Sequence, residues 1–496
     1  MRSDDRGPRS AVVVGAGLAG LSTALHLRGA GVEVTVLEAQ PTAGGRCPEV
    51  TAGGYRLDVG PTVLTETDQL ARAFKAVGES LEDHLTLLEV DPAYVAHFAD
   101  GSSLSMHSDP QRMRDAIRDL AGERDAAGYD RFVRHVQRLY DVELPHFIDR
   151  NLDGVHSLLR PALPRLAALR GFGRLDRLIA SFFHDERLRQ AFSFQSLYVG
   201  VPPHRARGMF AVVSAMDLVH GVTYPVGGMH AIVRAMVEVA RAHGVEFRFD
   251  HQVDAVRQVG DSYEVRTPHT AHAADAVVLT CEPARAATLL ADPDALRPDT
   301  TAAPSCVLLA AGVPAGLPGS GHHHLHFGTS LRGAMDDITS GRLMRDPSFL
   351  VSVPTRTDPT LGPAGADVLY ALFPAPARDG SGADLDWRQL RGAYRDHMLR
   401  CLTAAGYAVD DLVGEQLITP QDWDDRGMPW GTPFSSAHTF RQSGPFRQPN
   451  VIGPRLALAG SGTTPGVGVP MVLISGRLAA ERVLAGRGHR RHPDHG

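Results

Sequence analysis

Six consecutive residues, Gly15-Ala16-Gly17-Leu18-Ala19-Gly20, have a spacing that can do chemistry. Three glycines in the pattern G-x-G-x-x-G arise often by chance, so the flanks decide what they mean. Here they directly follow the β-branched run 11–14 and precede helical spacing over 21–28. In that setting Gly15 makes the tight turn, Gly17 lets the backbone approach a pyrophosphate, and Gly20 lets the helix pack closely on the strand. Glu38 ends a second strand over 32–37, where a carboxylate hydrogen-bonds a ribose hydroxyl. A free 2′-hydroxyl is implied, which disfavours a 2′-phosphorylated dinucleotide.

Two further glycine loops follow. Gly44-Gly45-Arg46 lies just beyond Glu38, and Gly60-Pro61-Thr62 comes soon after. They suggest a ligand longer than NAD, in which Arg46 meets the pyrophosphate charge and Gly60 approaches an isoalloxazine ring. FAD fits this, although Arg46 as a surface residue and Gly60 as a plain turn remain open. Near the C-terminus the apolar run 456–459 enters a turn containing Gly460 and Ser461, and a helix opens with Pro470 in its first turn. Its positive end either faces the negative charge of a reduced flavin or simply closes a strand-helix packing turn.

Those loops need elements to hold them, and 496 residues allow two or three domains. Helices are expected over 67–80, through much of 109–220, and over 229–243, 387–404 and 470–484. Strands are expected over 276–280, 307–311, 349–353 and 368–373, with a hairpin over 94–105 turning at Asp100-Gly101. The composition, 43% hydrophobic and 21% charged with a net charge of -6, is that of a globular protein and argues against a nucleic-acid partner. Four scattered cysteines suggest neither a disulfide framework nor a zinc cage and fit a reducing cytoplasm. No run of eighteen apolar residues suggests a membrane span. The only lysine is Lys75; the other 49 basic residues are arginine.

At its motifs the chain resembles the carotenoid desaturases of the bacterial phytoene desaturase type, within the wider FAD-dependent amine oxidase-like superfamily. The resemblance runs through the dinucleotide motif with GGR, GYRLDVGPTVLT (54–65), DERLRQAFSFQSLYVG (185–200) and YPVGGMHAIVRAM (224–236). It continues in HHHLHFG (322–328), TPQDW (419–423) and AGSGTTPGVGVPMVLISG (459–476). It implies an α/β fold: a discontinuous Rossmann-like FAD-binding domain (9–108, 222–303 and 450–485) with an inserted mixed α+β substrate and membrane-facing domain (109–221 and 304–449). Residues 486–496 read as a disordered tail. Carried over position by position, the resemblance places FAD against Gly15, Ala16, Gly17, Gly20, Glu38, Gly45, Arg46, Gly60, Pro61, Thr62, Val253, Gly460, Ser461 and Val469. Relatives commonly carry Ala at 461 and His at 464, where this chain has Ser461 and Thr464. Amine oxidases of the superfamily generally rely on a substrate-domain lysine, a role Lys75 is not placed to fill.

The resemblance implies dehydrogenation of an apolar polyene such as phytoene, to lycopene or intermediates, by hydride transfer to flavin. An external acceptor such as oxygen or quinone would reoxidise the FAD. Related readings are oxidation of another polyene or a natural-product amine, or a flavin- and carotenoid-binding isomerase without turnover. Asp58 and Asp217 are candidates by region to accept the proton, or else they satisfy loop and helix-end amides. Phe192, Phe194 and Tyr198 either line a substrate tunnel or fill core. His322, His324 and His326 share a strand face, but without a carboxylate partner at ligand spacing no metal site is expected. The substrate's home is a bilayer, so peripheral association with the inner face of the cell membrane is expected. Segment 151–183, with five arginines against two aspartates among many Leu, Ala and Phe, is either that contact or a buried helix pair.

Overall fold

Strands Ser10–Val14 and Ala276–Leu279 are short Ala, Val and Leu runs buried on both faces, the composition of strands inside a covered parallel sheet. The computed structural model, which describes residues 7–292, 294, 296–297, 301–380 and 385–486, puts them side by side at the centre of a six-stranded sheet. Its order is Val451–Gly453, Leu456–Leu458, Ala276–Leu279, Ser10–Val14, Glu33–Leu37 and Glu246–Arg248. All neighbours run parallel except the first pair. Helix Leu18–Gly29, from the start of the chain, packs on helix Val469–Leu484 from its end. Ser22 Oγ donates to Leu473 O at 2.8 Å across that seam, and a Cβ at Gly476 would sit 2.4 Å from Ala19 O. Both chain ends therefore build one layer.

A second sheet of seven strands orders Val413–Ile418, Ser305–Val313, Asp367–Ala375, Phe349–Ser352, His323–His326, Tyr94–His97 and Ser103–Met106. It is antiparallel except where His324 faces Val95. The hairpin turns at Asp100-Gly101 as its sequence predicts, with Gly101 N–H donating to Phe98 O at 3.0 Å. Its placement differs from the sequence reading, which groups it with segment 9–108; the structure puts it in the seven-stranded sheet. The reason is local: pairing with His323–His326 satisfies an otherwise open edge, and Tyr94 and Ala96 turn fully buried side chains into the core. Of the tail read as disordered, residues 487–496 lie outside the described residues.

The stretch between the sheets is helical. Asp109 caps helix Pro110–Ala121 by accepting from Arg112 N–H, with Pro110 in the first turn, and Asp185 caps Glu186–Ala191 by accepting from Arg187 N–H. Helix Glu123–Glu143 buries Tyr129, Phe132, Val136, Leu139 and Glu143 at three- and four-residue spacing, one apolar stripe ended by a carboxyl. Two turns in this region widen to i→i+5 hydrogen bonding, after Leu144 (Asp149 N–H to Leu144 O, 2.8 Å) and after Ala215 (His220 N–H to Ala215 O, 2.9 Å). Such widened turns recur at functional sites. No helix among the described residues is long and apolar enough to cross a membrane.

Candidate active site

In the Gly15–Gly20 turn, Gly20 is the position where neighbouring backbone leaves no room for a side chain. A Cβ at Gly20 would fall 2.0 Å from Gly15 O, so the first turn of the helix lies flush on the strand end. Ala16 N–H donates to Glu38 Oε2 at 2.7 Å and Gln40 N–H to Glu38 Oε1 at 2.9 Å, which fixes the carboxylate beside the turn. Gly44 N–H donates to Ala16 O at 3.0 Å, drawing the Gly44-Gly45-Arg46 loop against Gly17. A Cβ at Gly60 would meet Arg46 O at 2.3 Å, so the third loop closes on the second. Tyr370 Oη secures it by donating to Gly60 O at 2.8 Å.

These loops line one end of a single cavity of about 1420 Å³. A pocket for one drug-sized ligand occupies about 300–1,000 Å³, so this volume accommodates a dinucleotide and a second molecule. Gly15, Gly17, Glu38, Gly45, Arg46, Gly60, Pro61, Thr62, Val253, Gly460, Ser461 and Val469 all lie on its wall. The fully buried Ala16 and the tightly packed Gly20 stand behind that wall. Val253 O accepts from Arg285 Nη2 at 3.0 Å. Opposite the first turn, Gly468, Val469 and Met471 bring the amino end of helix Val469–Leu484 to the cavity, where unpaired N–H groups favour negative charge. A trough of glycine backbone, a carboxylate for a ribose and a helix amino end suit a flavin dinucleotide.

Sequence reasoning missed one ionic partner. Arg46 Nη2 pairs with Glu282 Oε1 at 2.5 Å, and Ser435 Oγ donates to Glu282 Oε2 at 2.7 Å. The signal was present: Glu282-Pro283 directly after a buried strand is the start of a helix, which aims the carboxylate back at the loop.

The other end of the cavity is apolar, walled by Phe194, Leu197, Met209, Phe210, Met216 and Phe327 among others. Asp217, on that wall, is almost fully buried. Tyr94 Oη donates to its Oδ2 at 3.1 Å, and the Tyr198 hydroxyl lies 3.3 Å from Tyr94 Oη. Desolvation raises the Asp217 carboxyl to about 7, with the Tyr94 hydrogen bond opposing and Glu66 reinforcing the rise. Asp58 differs. It lies off the cavity under the start of helix His230–Ala242, accepting from Met229 N–H at 2.7 Å, His230 N–H at 3.2 Å and Tyr224 Oη at 2.9 Å. Those contacts make it a helix-end cap and remove it from the proton acceptors.

Phe194 and Tyr198 lie on the wall, whereas Phe192 sits behind it. Its ring stacks on Phe183 at 4.6 Å and meets Phe132 edge-on at 5.1 Å. Phe192→Ala is expected to lower unfolding free energy by about 3–5 kcal/mol, read from chemical denaturation, as for a core aromatic. His323–His326 lie in the seven-stranded sheet and His322 just before it. His97 Nε2 lies 3.0 Å from His324 Nδ1, His326 Nε2 lies 2.9 Å from the Tyr407 hydroxyl, and His322 Nδ1 lies 2.7 Å from Thr357 Oγ1 while its Nε2 has no partner among the described residues. Burial lowers the pKa values of His323 and His324 to about 4 and of His326 to about 3. Among the described residues no three His, Cys, Asp or Glu side chains are grouped to hold a metal ion.

Comparison with known proteins agrees with this geometry. The flavin containing amine oxidoreductase family matches residues 18–484. The phytoene dehydrogenase of Streptomyces griseus is 46% identical over 96% of this chain and 95% of its own. The zeta-carotene-forming phytoene desaturase of Myxococcus xanthus is 34% identical over 96% and 94%. An oxidoreductase from Methanosarcina mazei has the same fold, with a TM-score of 0.62 at 18% identity over 95% of this chain and all of that one.

Proposed function

Because the chain belongs to the flavin containing amine oxidoreductase family, we propose that its reaction is the desaturation of a C40 carotenoid precursor, phytoene, to lycopene or an intermediate. The protein is an FAD-dependent oxidoreductase. The observation that carries the substrate reading is the apolar chamber continuous with the dinucleotide trough. Amine oxidation is disfavoured because the only lysine, Lys75, is exposed at the end of helix Thr67–Lys75, away from the cavity.

Bound FAD supplies a hydride acceptor. Gly15, Gly17 and Glu38 would hold its adenosine half, Arg46, its guanidinium fixed by Glu282, would meet the pyrophosphate charge, and Gly60–Thr62, Gly460, Ser461 and Val469 would hold the flavin end. The two sheets and the helical segment between them divide as a dinucleotide-binding and a substrate-binding part. The chamber strips water from a hydrocarbon that has neither an acidic proton nor a heteroatom. Once an allylic hydride has left, the adjacent C–H becomes acidic, and Asp217 Oδ takes that proton, with Tyr94 orienting the carboxylate. Anaerobic mixing of the yellow holoprotein with phytoene-loaded liposomes tests the reading. Loss of flavin absorbance with growth of conjugated-polyene bands supports it; an unchanged flavin spectrum overturns it.

The substrate reaches the chamber from lipid. Leu159 is 86% exposed, and Phe440 and Phe172, both on the cavity wall, are 46% and 36% exposed. The Arg207 guanidinium lies 5.4 Å over the Phe440 ring and donates to Phe172 O at 3.1 Å, so apolar side chains and a cation share one rim. This rim docks on the inner face of the cell membrane, where an oxidant such as quinone is also at hand. Leu159→Ser combined with Phe440→Ser is expected to lower co-sedimentation with anionic liposomes about tenfold or more, given the area two such side chains bury.

A further inference from the structure

Glu143 is the one buried acidic side chain on the cavity wall that the reaction does not use. It ends helix Glu123–Glu143, is 6% exposed, and its Oε1 has no hydrogen-bond partner. The chain beyond it cannot supply one easily: Pro145 has no N–H, and the following turn is the widened one closed by Asp149 N–H on Leu144 O. Asp217 has Tyr94 and Asp58 has helix amides; Glu143 shares the cavity wall with the apolar Phe147, Ile148, Leu152 and Met216. Two influences keep the carboxyl protonated. Desolvation pushes its pKa well above the usual carboxylate range, and the negative end of its own helix opposes ionisation.

A neutral carboxyl offers one O–H donor and one carbonyl acceptor. Left unpaired against hydrocarbon, both are a penalty, and a site with such a group discriminates sharply in favour of ligands that satisfy it. An alcohol matches both at once, donating to the carbonyl oxygen and accepting from the O–H, whereas a ketone or ether only accepts. We propose that Glu143 is a specificity residue that receives the hydroxyl of a hydroxylated polyene, so that the chamber prefers alcohol-bearing polyenes over the plain hydrocarbon of equal length. This rests on the reading of the chamber as a polyene site.

The test is equilibrium binding of lycopene and of 1-hydroxylycopene, in detergent micelles, to the FAD-loaded protein, followed by the shift of the polyene bands. The wild-type protein is expected to bind the alcohol about tenfold more tightly, the equivalent of one satisfied hydrogen bond. Glu143→Leu is expected to reverse the order, weakening the alcohol and tightening lycopene, while Glu143→Gln, which keeps a donor and an acceptor, retains the wild-type order. Equal affinities in the wild type, or an alcohol preference surviving in Glu143→Leu, overturn the assignment while leaving the polyene chamber intact. Failure of the wild-type protein to bind either polyene overturns the chamber reading and this assignment with it.

Discussion

Asp217→Asn lowers the steady-state rate of phytoene desaturation by about two to four orders of magnitude, the usual contribution of a positioned proton acceptor, and leaves the flavin content of the purified protein unchanged. Asparagine keeps an oxygen for the Tyr94 hydroxyl and nearly the same volume, so the substitution removes basicity and little else. The pH profile identifies the group. Desolvation raises Asp217 to about 7, and only the ionised form accepts a proton, so the wild-type rate rises with pH through about 7. Tyr94→Phe removes the hydrogen bond that opposes the shift, which moves the midpoint of that rise to higher pH. A rate that stays flat from pH 6 to 8 in the wild type, or within threefold of it in Asp217→Asn, would exclude Asp217 as the acceptor.

Stability runs the opposite way. A carboxyl whose folded pKa is raised binds more protons folded than unfolded, so its contribution is fully present below the ordinary carboxylate pKa and is lost as pH rises through about 7. The wild-type protein therefore becomes less stable over the window in which it becomes more active, and Asp217→Asn melts no lower than wild type at pH 8. A buried carboxylate held ready for proton transfer costs folding free energy that the neutral amide does not.

The dinucleotide turn was legible in the sequence because each of its constraints is local. Gly15, Gly17 and Gly20 are fixed by what lies within a few residues of them, and Glu38 by the end of one strand. Asp58 and Asp217 show where such reading stops. Both are acidic residues in similar stretches, and what separates them is non-local: Asp58 meets the start of a helix more than 170 residues further on, whereas Asp217, on the cavity wall, meets the buried Tyr94 from 123 residues earlier. Phe192 and Phe194 are two positions apart, yet one faces Phe132 and Phe183 and the other the cavity. Hydrophobic spacing marks both as buried but does not distinguish a core interior from the inside wall of a chamber. The hairpin over 94–105 was visible as a hairpin, but the sheet it joins was set by an edge 229 residues away. Glu143 carried no signal at all, since a glutamate at the end of a helix is ordinary until the space beside it is known to be apolar.

Gly20→Val is expected to have the larger effect of any change at the dinucleotide end: protein purified without yellow colour, its ratio of flavin to protein absorbance at least a hundredfold below wild type. The Cβ of any residue at this position would stand 2.0 Å from Gly15 O, a backbone atom, and no side-chain rotation can move a Cβ away. Helix Leu18–Gly29 and the Gly15 turn must therefore part by about 1 Å or more to restore van der Waals separation. Neither can yield cheaply. The helix is pinned on its far side by Ser22 against Leu473 and by Thr23 against Gly476, and the turn is pinned by Gly15 N–H on Leu37 O at 2.8 Å. The overpacking cost lies at or beyond about 3 kcal/mol. Much of the resulting displacement falls on Gly17, whose backbone lies on the cavity wall where the dinucleotide is proposed to bind. Far-ultraviolet circular dichroism and thermal melting separate the two consequences. A variant that keeps its secondary structure but takes up no added FAD places the defect in the turn, and one that binds FAD at wild-type stoichiometry would show that the cofactor does not lie along Gly15–Gly20.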